Sequence, residues 1–113
     1  MNITDITGDD LLRVLATLAN PHRLRVVAAL AAERNYVSQL ARELDISRAL
    51  LQVHLRKLEG AGLVSADIEV SEDGKAMKFY DVTPFALQLT PQTIMAAART
   101  LRANHELDAE ARR

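Results

Sequence analysis

A chain of 113 residues with a formal net charge of −1, 49% hydrophobic and 4% aromatic content is sized for one domain, and its alanine and leucine load favours closely packed helices over an all-β build. The absence of cysteine excludes disulfides, thiolate metal ligands and thiol redox switches together. No apolar run approaches the roughly 18 residues that a membrane span needs. The start "MNITDITGDD" has neither the basic end nor the apolar core of an export signal, so a soluble, cytoplasmic protein is expected.

Thr7 with Asp10 three residues on makes a capping pattern, and Leu11, Leu12, Val14, Leu15 and Leu18 follow at helical spacing, which predicts a first helix over 8–18. Asn20 and Pro21 supply an N-cap and a first-turn proline for a second helix over 21–32, with Leu24, Val27 and Leu30 expected inward. In "VSQLARELD", two turns place Leu40, Ala41 and Leu44 on one face before Asp45 and Ile46 turn the chain. Ser47 caps a fourth helix, whose Leu51, Leu55 and Leu58 stripe faces the core. Gly62 is suited to the left-handed residue that closes this helix, with Leu63 packing back on its last turn.

Beyond it the period changes to two: Val64, Ala66, Ile68 and Val70 alternate with Ser65, Asp67 and Glu69. An Asp-Gly turn in "SEDGKA" and the returning "MKFYDVT" complete a β-hairpin with a charged tip. Thr90-Pro91 opens a last helix, drawn over 91–107, with Ile94, Ala98 and Leu101 on one stripe. The expected class is therefore mainly α with one β-hairpin, in the order helix, helix, helix, helix, hairpin, helix, all in a single domain over 1–113.

A short helix, a tight turn and an amphipathic helix over 38–61 form a helix-turn-helix, and the hairpin over 63–83 stands beside it as a wing. In "LANPHRLRVVAAL", "VSQLARELDIS", "LLQVHLRKLEGAGLV" and "DGKAMKFYDVT" the chain resembles the ArsR/SmtB-type winged helix-turn-helix transcriptional regulators, in correct order over about residues 11–83. The resemblance implies a homodimer on double-stranded DNA with an inverted-repeat operator, usually as a repressor.

The fourth helix would enter the major groove with its first turns nearest the bases. Ser47, Arg48, Ala49, Gln52 and Val53 are then the outward residues near its start. Arg48 has the fork that fits guanine and Gln52 the amide that fits adenine. Arg56 and Lys57 lie further along, toward phosphate, and Lys75 and Lys78 on the wing are candidates for the flanking backbone. The formal charge of the whole chain is a poor guide here, because acids such as Asp9, Asp10, Glu106 and Asp108 gather near its ends while these bases lie in the middle. The chain departs from the family pattern at Ala49, Leu50 and Val53, where small polar residues are usual; fewer direct hydrogen bonds to bases, and methyl contacts to thymine, are expected on this face.

His54 borders the core stripe and is expected to be a buried, hydrogen-bonded imidazole, as the family often has there; His22 is expected at the surface. Family members often sense metals through third-helix cysteines, where this chain has "YVSQL", or through carboxylate and histidine sets on the last helix. His105, Glu106 and Glu110, with His22 borrowed from the second helix, are the material for a non-cysteine zinc or nickel site. The first and last helices are the expected dimer interface, through Leu11, Leu15, Leu18, Ile94, Ala98 and Leu101. A winged helix that binds a protein, with an obligate partner acting as accessory sensor, is the alternative. An enzyme is the poorest fit: the histidines are scattered, and neither a Gly-rich phosphate loop nor a nucleophile with a base at recognisable spacing is present.

Overall fold

The computed structural model describes residues 2, 3 and 6–102. Its elements are β1 (Asn2–Ile3), α1 (Gly8–Leu18), α2 (Pro21–Ala32), β2 (Asn35–Tyr36), α3 (Val37–Leu44), α4 (Arg48–Gly60), β3 (Val64–Val70), β4 (Ala76–Val82), β5 (Ala86–Leu87) and α5 (Pro91–Ala98). They fall into two units, one of residues Ala16–Thr83 and one of Met1–Leu15 with Pro84–Arg113.

The larger unit holds the helix-turn-helix and the hairpin. Asn20 Oδ1 accepts from the amides of His22 and Arg23 at 2.9 and 3.2 Å, which starts α2 as its sequence requires. Its inward face differs from the expected one. Val26 and Leu30 are buried, whereas Leu24 is 55% exposed. The cause is rotational: Arg23 reaches His54 on α4, and Val26 and Leu30 lie three and seven residues on, on the same face of the helix. That choice turns Leu24 to solvent.

α3 ends where Asp45 takes a left-handed conformation (φ 53°, ψ 48°). The amide of Ile46 then reaches Ala41 O at 3.1 Å and that of Asp45 reaches Arg42 O at 3.3 Å, so the orphan carbonyls of the last turn are satisfied. Ser47 Oγ accepts from Leu50 N at 3.0 Å and starts α4 at once. α4 closes in the same way through Gly62 (φ 76°), with Leu63 N on Leu58 O at 2.9 Å and Gly62 N on Glu59 O at 3.0 Å. Leu40, Leu51, Leu55, Leu58 and Leu63 fill the core with at most 1% of their surface exposed, each burial favouring the fold by about 1.5–3 kcal/mol.

β3 and β4 pair antiparallel from Val64↔Val82 to Val70↔Ala76, and β2 adds a third strand through Asn35↔Tyr80 and Tyr36↔Phe79. Two residues are too few to show alternation, so β2 has no sequence signature of its own. The hairpin is rooted at one end. Val64 and Tyr80 are buried, while Ile68 and Val70 are 68% and 70% exposed.

In the smaller unit β1 lies parallel to β5, and α5 opens with a capping box between Thr90 and Thr93. Among the described residues the last helix ends at Ala98, short of the expected 91–107, of which 103–107 lie outside the described residues. Thr100 Oγ1 donates to Ala97 O at 2.8 Å and accepts from Gly8 N at 2.7 Å, while the amides of Thr100 and Leu101 turn back to Ala97 O and Ala98 O. This tertiary bond replaces the next helical turn, so Leu101 follows the helix instead of lying on its stripe. Leu11 is buried within the chain; Leu15, Ile94 and Ala98 are exposed, and Leu18 and Leu101 are half-buried.

Candidate nucleic-acid interface

α4 buries Leu51, His54, Leu55 and Leu58 along one side. At roughly 100° per residue, Ala49, Val53 and Arg56 then point away from the body. Arg48 and Gln52 occupy one flank, Leu50 and Lys57 the other. Arg48, Ala49, Arg56 and Lys57 are exposed, Val53 is 41% exposed and Gln52 is half-buried. The Ser47 hydroxyl is engaged as the cap of its own helix.

His54 is buried as expected, and its bonding defines its tautomer. Arg23 Nε can only donate, so Nδ1, at 3.2 Å, is the acceptor and the ring proton of the neutral imidazole is on Nε2. Among the described residues Nε2 has no hydrogen-bond partner. Burial first, then the Arg23 guanidinium and His22, push the His54 pKa below the usual histidine value. His22 is less free than expected: it is half-buried and stacks on His54, with ring centroids 5.4 Å apart. Arg23 also donates to Thr17 O at 3.2 Å, so this cluster ties the end of α1 and the start of α2 to the back of α4.

The wing is braced from the opposite side. Arg34 makes an ion pair with Glu69 on β3 and lies 4.5 Å from the ring of Phe79 on β4, which Tyr36 meets edge-on. At the tip, Ser71 bonds both the Asp73 carboxylate and the backbone of Lys75. Hydrogen bonds to it from the Ser71 hydroxyl and then the Lys75 backbone hold the Asp73 carboxyl below its usual range, so the tip carries an anion beside Lys75.

Between the wing and α4 lies an open cleft of about 330 Å³, lined by Tyr36 and Ser38 from the β2–α3 junction, Arg48 and Gln52 from α4, and Met77 and Lys78 from β4. Sequence separation hides this grouping. Residue type and place in the motif make Arg48 and Lys78 candidates for DNA contact in the sequence, but no local pattern marks Ser38.

The candidate metal ligands are not brought together. His105, Glu106 and Glu110 lie outside the described residues, and His22 stacks on the His54 imidazole. Among the described residues no group of three or more His, Cys, Asp or Glu could hold a metal ion. No helix among them is long and apolar enough to cross a membrane.

A helix-turn-helix with an exposed, cation-bearing second helix and a hairpin wing defines a winged-helix DNA-binding protein. Residues 20–66 match the family model described as bacterial regulatory protein, arsR family. An HTH-type transcriptional regulator of Methanocaldococcus jannaschii, itself uncharacterized, is 33% identical over 85 residues, which cover 75% of this chain and 88% of the relative. The chain belongs to the ArsR family of transcriptional regulators.

Solved structures agree in fold. An ArsR-like transcriptional regulator from Rhodococcus sp. RHA1 is similar at 26% identity and a TM-score of 0.57, over 91% of this chain and 87% of that one. The homodimeric winged helix-turn-helix DNA-binding domain of a Mycobacterium bovis protein is similar at 22% identity and a TM-score of 0.60, over 90% of this chain and 80% of that one. Reduced HlyU from Vibrio cholerae has 22% identity and a TM-score of 0.58, over 81% of this chain and 85% of that one.

Proposed function

We propose that the protein acts in the cytoplasm as a homodimeric repressor, reading an inverted-repeat operator through α4 and gripping the flanking backbone with the wing. The observation that carries this is the outer side of α4, where Arg48, Ala49, Val53, Arg56 and Lys57 are exposed and Gln52 half-buried above a leucine core, with Ser47 at the cap and Lys75 and Lys78 on the hairpin beside it. A dimer would set two such helices about 34 Å apart, on successive major grooves. The exposed Leu15, Ile94 and Ala98, joined by Leu12 and Met95, support an interface on α1 and α5. Leu11 is already covered within the chain and is not part of that exposed surface. The homodimeric state of the similar M. bovis domain favours the same assembly.

Selection of bound duplexes from a random pool, followed by a salt titration on the selected sequence, tests this function. Palindromic sites and a log affinity that falls linearly with log salt, by about 0.9 for each phosphate neutralised, are expected. A sedimentation profile that stays monomeric at micromolar concentration with operator present rejects the dimer. Repeating the selection with zinc and nickel reports whether metal alters binding.

A further inference from the structure

We propose that Arg48 serves the DNA backbone and not a base: with Lys78 and Ser38 it forms a phosphate seat between α4 and the wing, leaving base contact at the start of α4 to Ala49 and Val53. The inference rests on the DNA-binding function above and assigns roles within that surface.

Position along α4 is the first ground. Arg48 lies about a quarter turn or more from the outward line of Ala49, Val53 and Arg56, on the flank where the wing stands. The second is the cleft itself, which Arg48 and Lys78 both line although they come from a helix and a strand thirty residues apart. Among the described residues that line it there is no carboxylate. Two cations that share an open cleft without an acid repel one another until an anion enters between them.

The cleft also offers directed donors. Ser38 presents a hydroxyl, Gln52 an amide, and α3 begins at Tyr36 without a side-chain cap, leaving the positive end of its dipole at the cleft wall. A phosphodiester fits this set because it accepts from several directions and carries one negative charge. A guanine edge fits it poorly: its O6 and N7 require the arginine fork in the plane of a base pair, out along the helix axis of approach. Meanwhile the outward line shows the groove two methyl-bearing side chains, Ala49 and the 41% exposed Val53. Their complement is the 5-methyl group of thymine.

The test compares wild type, Arg48→Ala, Ser38→Ala and Val53→Ser on the selected duplex and on all its single-base variants, each across a salt series. Circular dichroism confirms that each variant is folded; Arg48 is exposed, and its removal leaves the core intact. For Arg48→Ala, affinity is expected to drop by roughly tenfold or more, by the same factor on every duplex, with a salt slope shallower by about 0.9 per protomer. Ser38→Ala is expected to give a smaller, equally uniform loss, and Val53→Ser to relax preference at one thymine position per half-site. If Arg48→Ala instead relaxes one base position and keeps the wild-type slope, the seat is wrong while DNA binding stands. If wild type shows no salt-dependent binding to any duplex, the functional assignment falls and the seat falls with it.

Discussion

Arg23 donates through Nε to Nδ1 of His54 at 3.2 Å, joining the start of the second helix to the buried side of the recognition helix. The bond exists only while the imidazole is neutral. Protonation would place a second cation against the guanidinium in a buried setting.

Stability is therefore expected to depend on acid through His54. Above the unfolded value near 6.5 the ring is neutral in both states and the fold has its full stability. As pH falls through that value, the unfolded chain takes up a proton and the folded chain, whose His54 pKa is lowered, does not. Stability then falls by up to about 1.4 kcal/mol per pH unit until the folded-state pKa is reached. Denaturant melts from about pH 8 to about pH 5 measure the slope. His54→Asn, whose Oδ1 can replace Nδ1 as acceptor, should lower stability near neutrality but remove this share of the slope; an unaltered slope would show that His54 is not the titrating group.

Ser47→Ala removes the only side-chain cap on α4 and leaves Leu50 N without its 3.0 Å acceptor. A loss of about 1 kcal/mol is expected, with Ser47→Asp close to wild type because aspartate caps equally well. Chemical denaturation distinguishes the two.

Gly62 and Gly60, two residues apart, should respond in opposite ways to alanine. Gly62 holds φ at 76°, so Gly62→Ala is expected to cost about 1–2 kcal/mol. Gly60 is helical, and a Cβ added there would meet no atom within 4 Å, so Gly60→Ala should be neutral or stabilising by up to about 1 kcal/mol. Paired denaturation curves of the two variants check the opposite signs.

Gly8→Ala tests the junction of α1 with the end of α5. A Cβ there would sit 2.5 Å from Ala97 O and 2.6 Å from Leu101 Cγ, and backbone cannot yield as a side-chain tip does. A loss of about 1–3 kcal/mol is expected. If α1 and α5 form the dimer interface, the dissociation constant measured by sedimentation should rise in parallel.

Signals confined to a few adjacent residues were legible in the sequence. Asn20-Pro21, Ser47 and Gly62 each set a helix boundary through bonds to their immediate neighbours, and each boundary is where local chemistry puts it. Choices made by distant partners were not legible. Leu24 is exposed because Arg23 is committed to a histidine on another helix, and α5 stops early because Thr100 bonds to Gly8, 92 positions away in the chain. Likewise, the sequence contains every residue of the wing cleft, but Ser38, Arg48 and Lys78 become neighbours only when β2 pairs with β4 and carries the start of α3 beside the hairpin.

The hairpin, buried at Val64 and bare at Val70, is a cantilever. Past Glu69, which Arg34 pairs, it is held by backbone pairing and turn bonds with little side-chain packing to lose, so changes of length or charge at the tip cost the fold little. On the proposed function, reach along a duplex can thus vary independently of the elements that position α4. A regulator built this way can acquire a new flanking preference by altering a few tip residues while its reading helix, core and helix caps stay as they are.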